Sequence, residues 1–470
     1  MAPPAVSGRD EKIGLIPVLA FAVGAMIGGG VFTLSGEAIN RAGPAALVSY
    51  AIAGVVMLLS ALSSVAIATR AKPGESGFAP VTELLGRPWR FLVMWGFYLN
   101  ALLAVAFLAD SFGVYLHNYF LAGVGATVAG VLCIVLLGAL NLGPATWVGR
   151  AESWIVAVKV GLLLIFIGWG LAALSSSHFK PFAAHGAGPV LSTSALLFTA
   201  YTGFNVVTNI LPSVRDPIRT VPRAIIGAML ISIVMYLLVG VAMVDSGIAH
   251  FGLAGVSQAA QALMGSWGGK MIAFAACLST LSGANAMLLG GSEIALRLVA
   301  DEDIPAVLGK TTKAGFPWMS VGLIAIVALM LVLFTNIISV IVLGNITALV
   351  AMLVVNLAAV VLARRGFPAA GFRIPGGPLL PGIAAVACVS QFVSYNAVDL
   401  LAAAVSLGLG FVLYYQRGRG RHLFPDASLD RIREAIYQHE TPLARALNHP
   451  FHRHPIRRQR PLSPQTDRSS

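Results

Sequence analysis

Apolar residues dominate the chain from Gly14 to about Tyr415, in runs parted by short polar or glycine- and proline-bearing connections. Most runs approach the ~20 residues that a helix needs to cross a bilayer. Twelve can be marked out, at 14–34, 45–68, 91–119, 122–142, 152–174, 189–211, 224–245, 271–298, 318–336, 338–363, 380–397 and 399–416. Helices apolar around their whole circumference belong in lipid, so the pattern predicts an all-α membrane protein of twelve transmembrane helices. The third and eighth runs are long enough to tilt or to project beyond the hydrocarbon. From Arg417 to Ser470 the pattern reverses to Arg, His and Pro. There only Ser428–Glu440 shows an amphipathic stripe, through Leu429, Ile432 and Ile436, and the expectation is a disordered tail that touches anionic lipid.

Composition agrees: the chain is 57% hydrophobic and only 11% charged, too little charge for a soluble globular protein of this length. The basic residues then set an orientation. With the N-terminus inside, one set of loops collects Arg70, Lys72, Arg87, Arg90, Arg150, Arg215, Arg219, Arg223, Arg297, Lys310, Lys313, Arg364, Arg365 and Arg373. The other set keeps only Arg41, Lys180 and Lys270. Both termini are therefore expected in the cytoplasm, of a protein in the cell (plasma or inner) membrane. This bias and the basic tail account for the net charge of +12 without nucleic-acid binding. Cys133, Cys277 and Cys388 each fall inside an apolar run, with neither a disulfide framework nor metal-ligand spacing. The first run is too long for a signal-peptide core. No cofactor or metal is expected.

Two runs are interrupted. The first holds Gly24-Ala25-Met26-Ile27-Gly28-Gly29-Gly30-Val31-Phe32 at its middle. Each glycine costs a helix roughly 1 kcal/mol relative to alanine. Broken backbone at this depth is tolerated only where it lines a cavity or is buried in protein. The second interruption, Phe198-Thr199-Ala200-Tyr201-Thr202-Gly203-Phe204-Asn205, comes five runs later, and Asn205, Thr208 and Asn209 bring polar groups to the same depth. Interrupted segments in corresponding positions of two halves point to a transporter binding site. The half-helix after Gly30 would start with free N–H groups and a positive dipole end, suited to a carboxylate. The half-helix ending near Tyr201 would present carbonyls, suited to an ammonium. The competing reading is that both glycine clusters only let helices pack closely.

Lys159 is the one basic residue well inside a run, so it either faces a cavity or partner or snorkels to the headgroups. Asp110, toward the far end of the third run, could line a vestibule or pair locally. Glu293 and Arg297 are spaced for an intrahelical pair. Arg215, Asp216, Arg219 and Arg223 follow the sixth run, where they could form an inner gate or serve topology alone.

At these residues the sequence resembles amino acid permeases of the amino acid–polyamine–organocation superfamily. Gly24 through Phe32 is similar to the first-helix signature G-A-x-I-G-x-G-I-F. Phe198 through Ile225 resembles the sixth helix and its loop, with Val214-Arg215-Asp216-Pro217 and Val221-Pro222-Arg223. Ser279 to Arg297 is similar to an eighth-helix pattern. The resemblance covers about residues 10–420. It implies a leucine-transporter-like 5+5 inverted repeat, 13–175 and 186–364, with two extra C-terminal helices at 380–416. The transporter domain would span 13–416, between a cytoplasmic N-terminus (1–12) and a cytoplasmic tail (417–470). It implies that N–H groups around Gly28, Gly29 and Gly30 hold the substrate carboxylate. Carbonyls around Phe198, Ala200 and Tyr201 would hold its amino group, with Phe198 or Tyr201 as an aromatic gate. In proton-coupled relatives a fifth-helix lysine contacts the unwound first helix, and Lys159 matches that position. Acidic residues of many relatives are replaced here by Asn205 and Ser213, and Glu293 stands where an arginine is common.

By position, Met26, Ile27, Phe198, Phe204, Ser282 and Asn285, beside Gly203, would shape a side-chain pocket. No carboxylate sits evidently beside it, which favours a neutral or moderately apolar amino acid. The reading is a secondary active transporter of an amino acid, coupled to a proton and working by alternating access. The alternatives are an amino acid or polyamine exchanger, or a non-transporting sensor of the same fold. A channel is disfavoured by the lack of a filter-like loop, and an enzyme by the lack of HExxH, GxSxG or paired intramembrane carboxylates. No G-x-x-x-x-G-K-[ST] is present, so any energy would come from a gradient. The oligomeric state is left open.

Overall fold

The computed structural model describes residues 13–72, 75–141, 145–172, 174–183, 186–204, 207, 214–312, 317–366 and 371–419, of which 145–153 and 417–419 as backbone alone. The stripe at 428–440 lies outside them, as do Asn205, Thr208, Asn209 and Ser213. Among the described residues there is no strand, only a bridge between Ile13 and Val214.

The first apolar run is two helices, α1 (Leu15–Met26) and α2 (Gly29–Ala42). A turn at Gly43–Ala45 leads into α3 (Ala46–Ala68). After the short α4 (Val81–Leu85) come α5 (Arg87–Tyr119), α6 (Ala126–Asn141) and α7 (Ala145–Ala172). The sixth run gives α8 (Ala187–Leu197), which tightens into a 3₁₀ turn at Phe198–Tyr201. Then follow α9 (Pro217–Asp245), α10 (Gly255–Met264), α11 (Ser266–Ala300), α12 (Trp318–Phe334), α13 (Ile337–Arg364), α14 (Leu379–Phe392) and α15 (Ala397–Arg419). Seven helical stretches among these residues are long and apolar enough to cross a bilayer. Four apolar helices are shorter: α1, α6, α12 and α14. The protein is thus an all-helical, multi-pass membrane protein. The helix α10 has no counterpart in the apolar runs, because its residues are too mixed to read as a span.

At 33 and 35 residues, α5 and α11 are about 50 Å long and outreach a ~30 Å hydrocarbon core, as their runs predict. These two pack along each other, and α13 packs along α5. α1 lies against α9 and α7, and α2 lies against α8 and α10. Arginines tie loops together at one end of the bundle. Arg90 Nη1 is 2.6 Å from Asp301 Oδ2, and Arg90 Nη2 is 2.9 Å from Asp303 Oδ2. Arg87 Nη2 reaches Asp303 Oδ1 at 2.8 Å. Burial pushes the Asp303 carboxyl above its ordinary pKa, and Arg90 and Arg87 pull it back. Arg70 also donates to Phe372 O at 3.0 Å, and Arg365 to Glu83 O at 3.2 Å. At the opposite end Asn40 exchanges two hydrogen bonds with the Phe251 backbone, at 2.8 and 2.9 Å, holding α2 to the segment before α10.

The pair expected of Glu293 and Arg297 is not among the ion pairs formed between described residues. Glu293 is buried and engaged in other interactions, while Arg297 turns to an open crevice.

Candidate functional site

The break in the first run is built from local backbone geometry. Ile27 has φ −74° and ψ 71°, an inverse γ-turn, and Gly28 N–H closes it on Met26 O at 2.7 Å. This turn ends α1, and the chain extends through Gly28 before α2 begins. Donors from three other helices satisfy the carbonyls freed at the end of α1. Lys159 Nζ, on α7, donates to Gly24 O at 2.7 Å. Tyr236 Oη, on α9, lies 2.7 Å from Met26 O. Ser279 Oγ, on α11, donates to Ile27 O at 2.8 Å.

The start of α2 is different. No hydrogen bond between described residues uses the N–H of Gly29, Gly30 or Val31. They form the first turn of α2, whose backbone donors have no intrahelical acceptor and carry the positive end of the helix dipole.

The second interruption lies directly against the first. A Cβ placed on Gly30 would stand 2.7 Å from Ala200 Cα. A Cβ on Gly203 would stand 2.6 Å from Ala25 O, and Gly203 has φ +115°, a conformation side-chain-bearing residues rarely adopt. Only glycine allows both approaches. The same Tyr236 hydroxyl that reaches Met26 O also lies 2.8 Å from Ala200 O, so it bridges the two broken segments. The Tyr236 ring packs 4.9 Å from that of Tyr201, whose hydroxyl donates to Tyr50 O at 3.0 Å. Farther back, Asn345 Nδ2 from α13 bonds Leu196 O at 3.0 Å and Ala195 O at 3.2 Å. Thr202 Oγ1 takes Thr199 O at 2.7 Å.

The residues expected at the site divide accordingly. Met26, Ile27, Gly28, Gly29, Gly30, Ala200, Tyr201 and Gly203 come together where the segments meet. Phe198 and Phe204 are fully buried, and Ser282 is buried on α11. Asn285 is held by the Asn141 amide, 2.6 Å away, on the side of α11 toward α6. Lys159 does not snorkel, since it is fully buried and turned inward to Gly24. Asp110 is half-buried on α5, with no hydrogen-bond or ion-pair partner among the described residues. Tyr236 and Ser279 are the site residues that sequence reasoning missed. A tyrosine hydroxyl in the middle of an otherwise apolar run is the signal that could have marked the first.

A narrow crevice leads from Thr202 and Gly203 toward the arginine-rich end. Met94, Phe97 and Asn100 of α5 and Met287, Ile294 and Arg297 of α11 form much of its wall. Its walls are mostly apolar, and Arg297 is the one charged group among its described lining residues. None of the residues from Met26 to Gly30 lines it, so the crevice ends just beneath the place where the broken segments touch.

Comparison with known proteins agrees with this architecture. The branched-chain amino acid permease of Bacillus subtilis is 26% identical over 446 residues, covering 88% of this chain and 95% of the relative. The methylthioribose transporter of the same organism is 25% identical over 426 residues, covering 85% and 92%. An inner membrane transport protein of Escherichia coli is 25% identical over 333 residues, covering 68% and 77%. The profile of the amino acid permease family matches residues 13–413, nearly the whole helical part of the chain. The chain belongs to the amino acid permease family.

Proposed function

We propose that this protein is a secondary active transporter that carries a neutral, apolar amino acid together with a proton by alternating access. One observation carries the reading: the two helical interruptions touch, with Gly30 on Ala200 and Gly203 on Ala25. Free N–H groups at Gly29, Gly30 and Val31 stand on one side of that contact, and the carbonyls of the 3₁₀ turn on the other. Such a pair of poles fits the carboxylate and amino group of one amino acid. The interruptions fall in the first and sixth runs, as a repeat of five helices (13–175) followed by its inverted copy (186–364) would require. The two helices within 380–416 are then additions, and the arginine-rich end is the cytoplasmic one in a cell membrane.

The crevice would be the route to the cytoplasm, while the Asn40–Phe251 bonds close the other side. That combination describes an inward-facing state. The apolar wall and Arg297 favour a neutral substrate over a polyamine, because a cation would meet a like charge. Two relatives named as branched-chain amino acid permeases, from Bacillus subtilis and Lactococcus lactis, support the same class.

Lys159 supplies the coupling. Its ammonium compensates the carbonyl end of α1 at Gly24, so loss of its proton weakens the hold of α7 on the inner half-helix. The test is uptake of labelled L-leucine into proteoliposomes. An inward proton gradient should drive accumulation, and a protonophore should abolish it. Uptake indifferent to the gradient but dependent on internal amino acid would make the protein an exchanger. Absence of both, for a panel of neutral amino acids, would remove the transport reading.

A further inference from the structure

On the outer surface of the bundle, away from the broken segments, a shallow groove lies where α13 ends beside α14. Arg364, Pro378, Leu379, Gly382, Ile383 and Val386 line it. Arg364 is its only charged residue, is exposed, and forms no hydrogen bond or ion pair with another described residue. Arg365 and Arg373 follow close by, and no acidic residue occurs between Arg364 and Asp399. Positive charge is therefore concentrated at this corner, with Glu83, whose carbonyl Arg365 reaches, as an acidic residue nearby.

From the groove an apolar stripe runs along α14 through Leu379, Ile383, Val386, Val389 and Val393, all exposed and spaced to share one face. The 14 residues of α14 extend about 21 Å, beyond the ~15 Å of hydrocarbon in a single leaflet. A cation at the polar boundary and an apolar track one leaflet deep match the two parts of a phospholipid.

We propose that this groove binds an anionic phospholipid, with its phosphate on the Arg364 guanidinium and an acyl chain along the exposed face of α14. The charge selects the headgroup. A zwitterionic lipid offers the same chain but sets its own cation among Arg364, Arg365 and Arg373, whereas an anionic one leaves the attraction unopposed. The buried side of α14 supports the second interruption. Gln391 bonds Ser194 at 3.3 Å, and Tyr395, just past the helix, donates to Ala195 O at 3.0 Å. A lipid on the outer face therefore braces the helix that leads to Phe198. The inference requires only that the chain spans a membrane, and it stands apart from the transport reading.

Thermal unfolding of the full-length protein in detergent tests it, with titrations of dioleoyl-phosphatidylglycerol, dioleoyl-phosphatidylcholine and inorganic phosphate. The anionic lipid should raise the midpoint by about 3 °C while the other two leave it unchanged. Arg364→Gln should abolish the shift. Gly382→Phe should do so too, because a Cβ there meets nothing within 4 Å and the ring would fill the groove. An equal shift from phosphatidylcholine marks a nonspecific chain effect, and one from inorganic phosphate marks a simple anion site; either overturns the proposal. So does an undiminished shift in a folded variant. Should neither variant fold, the lipid series on the unaltered protein decides.

Discussion

Gly30 and Ala200, 170 residues apart in the chain, approach so closely that a single added methyl on Gly30 would lie 2.7 Å from the Ala200 Cα. The neighbouring atom is backbone, so it cannot rotate aside. Gly30→Ala should separate the two broken segments or strain them, at about 1–3 kcal/mol. Substrate-induced thermal stabilisation should disappear while the helical content measured by circular dichroism is retained. Normal ligand stabilisation in this variant would mean that the contact is not part of the site.

Gly203→Ala meets two obstacles together, a φ of +115° and the Ala25 carbonyl 2.6 Å from the new Cβ. Its expected cost is at least about 1–3 kcal/mol. The unfolding midpoint without ligand should fall, and further than for Gly30→Ala, because the strained φ adds to the clash.

Tyr236→Phe removes the one hydroxyl shared by Met26 O and Ala200 O and leaves the ring in place. The hydroxyl has one proton to share between them, and its loss leaves buried carbonyl capacity unmet at about 1–3 kcal/mol. The affinity for L-leucine should drop by about tenfold or more. Isothermal titration reads the affinity directly, and unaltered affinity would show that the bridge does not shape the site.

Lys159→Gln keeps a donor for Gly24 O but cannot gain or lose a proton. Proton-driven accumulation should be lost while counterflow, which needs no net proton movement, persists. In the native protein, uptake should rise as the outside is acidified and fall as it is made alkaline, and the variant should be flat. A variant that follows the native profile would dismiss Lys159 from coupling.

Asp303→Asn tests the arginine-rich end. It takes the charge from a buried carboxylate that serves both Arg87 and Arg90, and breaking such a network costs about 3–5 kcal/mol. The unfolding midpoint should fall sharply. Arg90 keeps its 2.6 Å pair with Asp301, so a second substitution, Arg90→Met, should lower the midpoint further.

The chain displays its spans and its interruptions openly. Three glycines in an apolar run, and a second weak stretch five runs later, are local signals, and they mark the segments that meet. Lys159 was equally legible, because a lone lysine in a membrane run demands a partner. Tyr236 and Ser279 were not. Helices apolar on every side carry little amphipathic signal, so sequence alone cannot say which face looks toward a neighbouring break. Asn285 illustrates the same limit from the other direction: its place on α11 was legible, but its bond with Asn141 of α6 was not. Spacing also suggested the Glu293–Arg297 pair, which is not among the ion pairs formed between described residues. The short helix α10 was hidden because its composition resembles a connection.

The measurement that bears most directly on the paired poles is isothermal titration of the purified protein with L-leucine, L-leucinamide and N-acetyl-L-leucine. Blocking the carboxylate removes the anion that the N–H groups of Gly29, Gly30 and Val31 would receive, and acetylation removes the cation opposite them. The account predicts that L-leucine binds and that each blocked form binds at least about tenfold more weakly. Equal affinity for L-leucinamide would contradict it.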